Sequence, residues 1–274
     1  MSESASEGEV RVERRGAIAV ITLDRPSRRN AMGEAMWTSL EQRLAEVEAA
    51  LPRALVVTGA GDKAFCAGQD INPDNPQVSA LVTAVQTHDR APVMAMLERE
   101  RRIVDRLVGL PIPVIAAING IAFGGGAELA ARCDLRVADP AATICFSEVK
   151  LGLMPDWGGG VALVRLLGPS RAADLILTAR RVGAAEAATL GLVNRVSAPG
   201  KSLDETMELA GSIAKNGPRA VRSALDIIRR TQTLPIHDAL AMELVHAATL
   251  IASGECVHGI TAFLAKTEPV FPDE

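Results

Sequence analysis

The feature that most constrains this chain is a passage near its middle, Ile118-Asn-Gly-Ile-Ala-Phe-Gly-Gly-Gly-Ala-Glu128. An apolar, β-branched run at residues 113–118 precedes it and reads as a buried strand. Asn119-Gly120 marks a turn. Three glycines then lead into Glu128-Leu-Ala-Ala-Arg-Cys133, which reads as a helix. Glycine has no Cβ, so a ligand can approach its amide closely. At a helix N-terminus such amides lack an intrahelical partner and carry the positive end of the dipole behind them. The arrangement suits a developing negative charge, with Glu128 beside it as an ionisable carboxylate. The plainer reading, glycines for tight packing and Glu128 complementing the dipole, stays open on this segment alone.

The rest of the chain reads as α/β. Residues 10–14 and 17–23 predict strands around an Arg15-Gly16 turn, 34–51 a helix and 54–58 a strand. The Pro- and Asn-rich residues 72–76 predict a mobile loop, continued to residue 92, and a helix follows over 93–108. Short strands are expected at 135–138 and 143–146. From residue 161 the pattern is helical, with breaks at Gly168-Pro169, Pro199-Gly200 and Gly217-Pro218. Strands alternating with helices, then helices only, predict a tail over residues 1–9, an α/β core over 10–200 and a helical region over 201–274.

Composition excludes several classes. A net charge of −4 with no Lys/Arg block argues against nucleic acid as a partner. Cys66, Cys133, Cys145 and Cys256 form no CxxC pattern and pair with none of the four histidines, so no metal site is expected. They read instead as small buried residues of a reducing compartment. The acidic N-terminus is unlike a signal or transit peptide, and no apolar run spans a membrane, so a cytoplasmic location is expected. The absence of tyrosine rules out a phenolic acid. No phosphate loop, dinucleotide fingerprint or Gly-x-Ser-x-Gly elbow is present.

Two further segments carry possible chemistry. Lys63-Ala-Phe-Cys-Ala-Gly-Gln-Asp-Ile71 follows a strand, and Ala67-Gly68 leaves a small-residue gap beside free amides; a close strand crossing would explain it equally. Phe146–Gly160 holds Glu148 and Asp156 among apolar neighbours. Taken alone, Glu148 reads as an exposed strand residue, and Asp156 as the N-cap of the next helix. In an apolar setting either would have a raised pKa and could move protons near neutrality.

Together these segments resemble the enoyl-CoA hydratase/isomerase (crotonase) superfamily. The likeness runs through Leu23-Asp-Arg-Pro-Ser-Arg-Arg-Asn-Ala31, Ala64-Phe-Cys-Ala-Gly-Gln-Asp-Ile71, Asn119–Glu128, Glu148-Val-Lys-Leu-Gly-Leu-Met-Pro155, residues 183–193 and Gly259-Ile-Thr-Ala-Phe-Leu-Ala-Lys266. The resemblance implies a spiral of ββα repeats with a C-terminal helical oligomerisation region, as a homotrimer or dimer of trimers. It implies an acyl-CoA substrate, no separate cofactor, and a thioester enolate held between the backbone N–H groups of Gln69 and Gly125. By motif position Glu128 would deprotonate the water added at Cβ, and Glu148 would protonate Cα. For CoA, the resemblance points to Arg29, to Ala67 and its neighbours Gln69, Asp70 and Ile71, and to Phe263 and Lys266 reaching a neighbouring subunit's ligand. Thr267 stands where relatives often carry a further basic residue. Asp156 occupies a place where hydratases commonly have glycine and some isomerases have a proton-shuttling aspartate. The implied activity is therefore hydration of a trans-2-enoyl-CoA in fatty acid metabolism, with double-bond isomerisation or non-catalytic acyl-CoA binding as alternatives. Some members of the superfamily bind RNA, which the acidic balance argues against.

Overall fold

The computed structural model describes residues 8–272. Most of the expected tail lies outside the described residues, and Glu9 already opens the first strand. Strands β1 (Glu9–Arg15), β2 (Ile18–Asp24), β3 (Ala54–Gly59), β5 (Val114–Ile118), β7 (Leu135–Ala138) and β10 (Arg195–Val196) form a six-stranded sheet in the order β1-β2-β3-β5-β7-β10. Only the β1–β2 hairpin is antiparallel in it. A smaller sheet has the order β4 (Ala64–Cys66), β6 (Ile121–Phe123), β8 (Thr143–Cys145), β9 (Val182–Gly183).

Consecutive strands are shared between the two sheets. β3, β5 and β7 enter the large one, and β4, β6 and β8, which follow them in sequence, enter the small one. β4, β6 and β8 are parallel neighbours, so the loops that leave their C-terminal ends lie side by side. Ligands of parallel α/β sheets collect at such carboxyl ends.

The central strands β2, β3, β5 and β7 of the large sheet are mostly buried on both faces, which explains why they read as largely apolar runs. Alternation still sorts the side chains. Ile21, Leu55, Val57 and Val114 join the main core with α1 (Glu34–Ala49) and α3 (Ala91–Val108), while Val20, Val56, Ile115 and Val137 face α8 (Ser202–Ala214). Fully burying one such aliphatic side chain contributes roughly 1.5–3 kcal/mol. Arg136 on β7 is also buried, and its guanidinium donates to the carbonyls of Leu192 (2.7 Å) and Cys133 (2.5 Å) at the end of α4 (Gly125–Arg132).

The segment expected as a loop over 72–92 is largely helix: α2 spans Pro76–Thr87. The Asn75 side chain accepts from the Gln77 N–H, and Pro76 stands in the first turn, so the Pro/Asn cluster is a helix start. Val78, Leu81, Val82 and Val85 keep helical spacing behind it. Beyond α5 (Gly159–Leu167) come α6 (Pro169–Thr178), α7 (Ala184–Leu190), α9 (Pro218–Arg230), α10 (Ile236–Ala252) and α11 (Glu255–Ala265). Prolines start α6 and α9 at the expected breaks. The two-residue strands β9 and β10 escape the sequence pattern.

Candidate active site

A cleft of about 350 Å³ opens at the carboxyl ends of β4, β6 and β8. The chain leaving β4 brings Gly68 against the chain leaving β6. A Cβ on Gly68 would stand 2.9 Å from the Gly125 nitrogen and 2.8 Å from the Phe123 carbonyl, and its φ of +89° is itself a glycine conformation. Gly125 opens α4, so its N–H has no intrahelical acceptor. The Gly68 carbonyl accepts from the Met32 N–H at 2.8 Å. In a trans peptide the following N–H points the opposite way, and no backbone acceptor takes the Gln69 N–H among the described residues. Two adjacent unpaired donors, the N–H groups of Gln69 and Gly125, border the cleft.

Glu128, on the first turn of α4, is completely buried. Its oxygens accept from the backbone N–H groups of Gly159 (2.7 Å) and Asp156 (3.2 Å). Glu148 begins a 3-10 turn, Glu148–Leu151, rather than lying on an exposed strand. It is only 8 % exposed, and neither of its oxygens has a partner among the described residues. A Cβ on Gly124 would lie 3.8 Å from Glu148 Oε1, which sets this carboxyl beside the glycine loop. Burial and the charge of Glu148 raise the pKa of Glu128, against the Gly159 N–H that lowers it. Burial likewise raises Glu148. Two carboxyls in one dry site titrate as a pair and retain a proton to higher pH than either would alone.

Asp156 does not cap a helix. Gly158 is the N-cap of α5, and the Asp156 side chain faces the cleft, where burial raises its pKa against the nearby Arg101. Its charge in turn raises Glu128, Glu148 and a fourth acid, Glu100.

Glu100 is the site residue that sequence reasoning missed. Burial and the Asp156 carboxylate push it to about 7, while hydrogen bonds from Trp157, Gln77 and Gln69 pull it down. It shares a face of α3 with the buried Ile103, Val104 and Leu107, so an acid on the apolar stripe was the available signal.

The expected CoA residues divide. Ala67, Asp70 and Ile71 border the cleft with Gln69. The Ala67 N–H donates to the Arg29 carbonyl at 3.0 Å. Burial alone would raise Asp70, but hydrogen bonds from Asn72 and from Arg25 (2.5 Å) hold it below the usual carboxylate range, so its charge is already engaged. Arg28, not Arg29, lines the main cleft, where it pairs with Asp74 at 2.9 Å. Arg29 lines an adjoining hollow of about 210 Å³ with Lys63. The reason is local: the chain turns left-handed at Arg29 and Asn30, which sends successive side chains apart. Phe263 and Lys266 lie away from the cleft at the end of α11, with Phe263 81 % exposed. No cluster of metal-ligating side chains occurs among the described residues.

Staggered ββα units, adjacent free amides and paired buried glutamates define a crotonase-fold protein. The chain belongs to the enoyl-CoA hydratase/isomerase family, whose profile matches residues 13–274. It is 34% identical over 256 residues to the short-chain-enoyl-CoA hydratase of Clostridium acetobutylicum, covering 93% of this chain and 94% of that one. It is 32% identical to the carnitinyl-CoA dehydratase of Escherichia coli, with 99% of each covered. The crystal structure of an enoyl-CoA hydratase from Bacillus anthracis superposes with a TM-score of 0.87 at 34% identity, over 97% of this chain and 100% of that one.

Proposed function

We propose that this protein adds water across the double bond of a trans-2-enoyl-CoA to give a 3-hydroxyacyl-CoA. The observation that carries the reading is the pair Glu128 and Glu148, buried in one cleft beside two unpaired amide donors. The thioester oxygen would accept from the Gln69 and Gly125 N–H groups, so that charge developing on it as the enolate forms meets two preorganised donors. One water between the glutamates would lose a proton to one carboxylate and add its oxygen at Cβ, and the protonated partner would deliver a proton to Cα. In the roles the resemblance implies, Glu128 is the base and Glu148 the acid, and two backbone N–H groups help Glu128 to carry charge against its burial. The balance is one water consumed, with both carboxyls exchanging roles by the end of the turnover. No cofactor is needed.

Double-bond migration is the second reading, favoured by Asp156 facing the same cleft. Incubation with crotonyl-CoA and with a 3-enoyl-CoA, followed by mass analysis, separates the two. We expect a product heavier by one water from crotonyl-CoA; an unchanged mass there together with rapid conversion of the 3-enoyl ester would reverse the ranking. If Asp156 is a bystander, Asp156→Asn keeps most of the hydration rate, because the amide preserves shape but cannot titrate. As in the resemblance above, the active unit proposed is a trimer or dimer of trimers in which Phe263 and Lys266 reach a neighbour's CoA.

A further inference from the structure

We propose that Glu100 is a positioning residue for the oxyanion hole, holding the Gln69 peptide in place through the Gln69 and Gln77 side chains. The proposal rests on the thioester-enolate reading above and adds to it a residue outside the glutamate pair.

The Gln69 side chain is held at both ends of its amide. Its Oε1 accepts from the Trp37 indole N–H at 3.1 Å, and its Nε2 donates to Gln77 Oε1 at 2.8 Å and to Glu100 Oε1 at 3.1 Å. Glu100 Oε1 takes a second bond, from Gln77 Nε2 at 2.8 Å. Three helices thus grip one side chain: α1 through Trp37, α2 through Gln77 and α3 through Glu100. Both donor hydrogens of the amide are used, and flipping the amide would set its NH2 against the Trp37 N–H, so the three bonds fix its orientation.

Such a grip matters because the backbone here is held lightly. Gln69 meets Met32 in an isolated bridge rather than a ladder, and its predecessor is Gly68 at positive φ. The second oxyanion donor is tied to the same assembly. Trp157 packs edge-on to Trp37 with centroids 4.7 Å apart, and lies so near Gly125 that a Cβ there would approach its ring at 2.6 Å. Glu100 Oε1 thus joins the side chains of Gln69 and Gln77. A buried carboxylate is costly unless it is paired or well hydrogen-bonded, and this one takes its bonds from those two amides.

The test uses four proteins: the parent, Glu100→Leu, Glu100→Gln and Gln77→Leu. Each is assayed for kcat and KM on crotonyl-CoA, for butyryl-CoA affinity, and for the ultraviolet band of enolised acetoacetyl-CoA on binding. A misplaced donor weakens the enolate more than the saturated thioester. We expect Glu100→Leu to lose about 10–100-fold in kcat and most of the enolate band, with butyryl-CoA affinity within about threefold. Glu100→Gln should recover the signal, because its amide oxygen can accept both bonds. Gln77→Leu should show the same signature more weakly, and it decides the matter if Glu100→Leu does not fold. A Glu100→Gln variant as impaired as the leucine one would overturn positioning in favour of a direct role for the carboxyl. A loss confined to butyryl-CoA affinity, or no change in the enolate band, would also overturn it. If the parent fails to hydrate crotonyl-CoA the hydratase reading falls, while the enolate band still tests Glu100.

Discussion

Glu128 and Glu148 differ in what reaches their oxygens. One carboxyl receives two backbone N–H groups and the other none, and both are buried at the wall of the cleft. Replacing either with glutamine keeps volume and polarity but removes the proton-transfer group. General acid–base groups contribute about 10²–10⁴-fold. Each single variant should lose hydration rate by that order while binding butyryl-CoA almost normally, which titration calorimetry would check. Glu128 stood out in sequence beside a glycine-rich helix start, whereas Glu148 was legible only through its place in a family motif; taken alone, Glu148 pointed to an exposed strand, because periodicity does not register a 3-10 turn. Glu100 was hidden for the opposite reason, being one acid among the many charges of a long helix. Its titration gives a stability prediction. In the unfolded chain it loses its proton near the ordinary glutamate value of 4.5, and in the folded chain at about 7. The native state therefore binds the extra proton between those values. Stability that is complete below the lower value is lost as pH rises through the upper one. Glutamine has no such proton to lose. Glu100→Gln should gain on the parent between pH 5 and pH 8 by about 1–3 kcal/mol, at roughly 1.4 kcal/mol per pKa unit. Urea unfolding at a series of pH values measures this, and parallel curves for the two proteins would refute it.

At the scale of elements, the site is a consequence of how strands are dealt between two sheets. β3, β5 and β7 were legible as apolar runs, and the glycine-rich turn after β6 announced a helix start. What periodicity could not supply was the neighbour relation of β4, β6 and β8, since three-residue strands carry no pattern of their own. Helix α2 was concealed behind the Pro/Asn signals of its own cap. The junction of the β4 and β6 loops depends on Gly68 more than on any catalytic side chain. Gly68→Ala adds a methyl within 3 Å of two backbone atoms at a φ of +89°, and neither backbone can yield without moving an oxyanion donor. Losing one such donor costs about 10²–10³-fold in kcat. We expect a folded protein with kcat reduced toward that order on every substrate, circular dichroism confirming the fold. Full activity in Gly68→Ala would show that the two loops can separate without cost.

The whole molecule ends in a helical pair that its own core does not use. Leu240, Leu244 and Val245 on α10, and Val257, Ile260, Phe263 and Leu264 on α11, are all exposed. Contiguous apolar surface of this kind marks a contact face. No single helix among the described residues is long and apolar enough to cross a membrane, and α10 and α11 meet at a bend of 71°. The proposed occupant is a second copy of the chain, for a reason the cleft supplies. CoA is far longer than a cleft of about 350 Å³ accommodates, so much of it must lie on surface beyond the residues that line the site. Phe263 and Lys266 are remote from their own cleft and free to meet another subunit's ligand. Two substitutions separate assembly from ligand contact. Leu244→Arg together with Leu240→Arg places two charges on the apolar face, where an unpaired buried charge is strongly disfavoured. Sedimentation should then show monomers, or a smaller assembly than the parent, with a higher KM for acyl-CoA. Phe263→Ala removes the ring but no charge, so it should leave the assembly intact and weaken CoA binding by about tenfold, the loss of roughly 1.4 kcal/mol. A parent that sediments as a monomer and turns over normally would refute the shared site, because a lone subunit would then hold its CoA without any residue of α11.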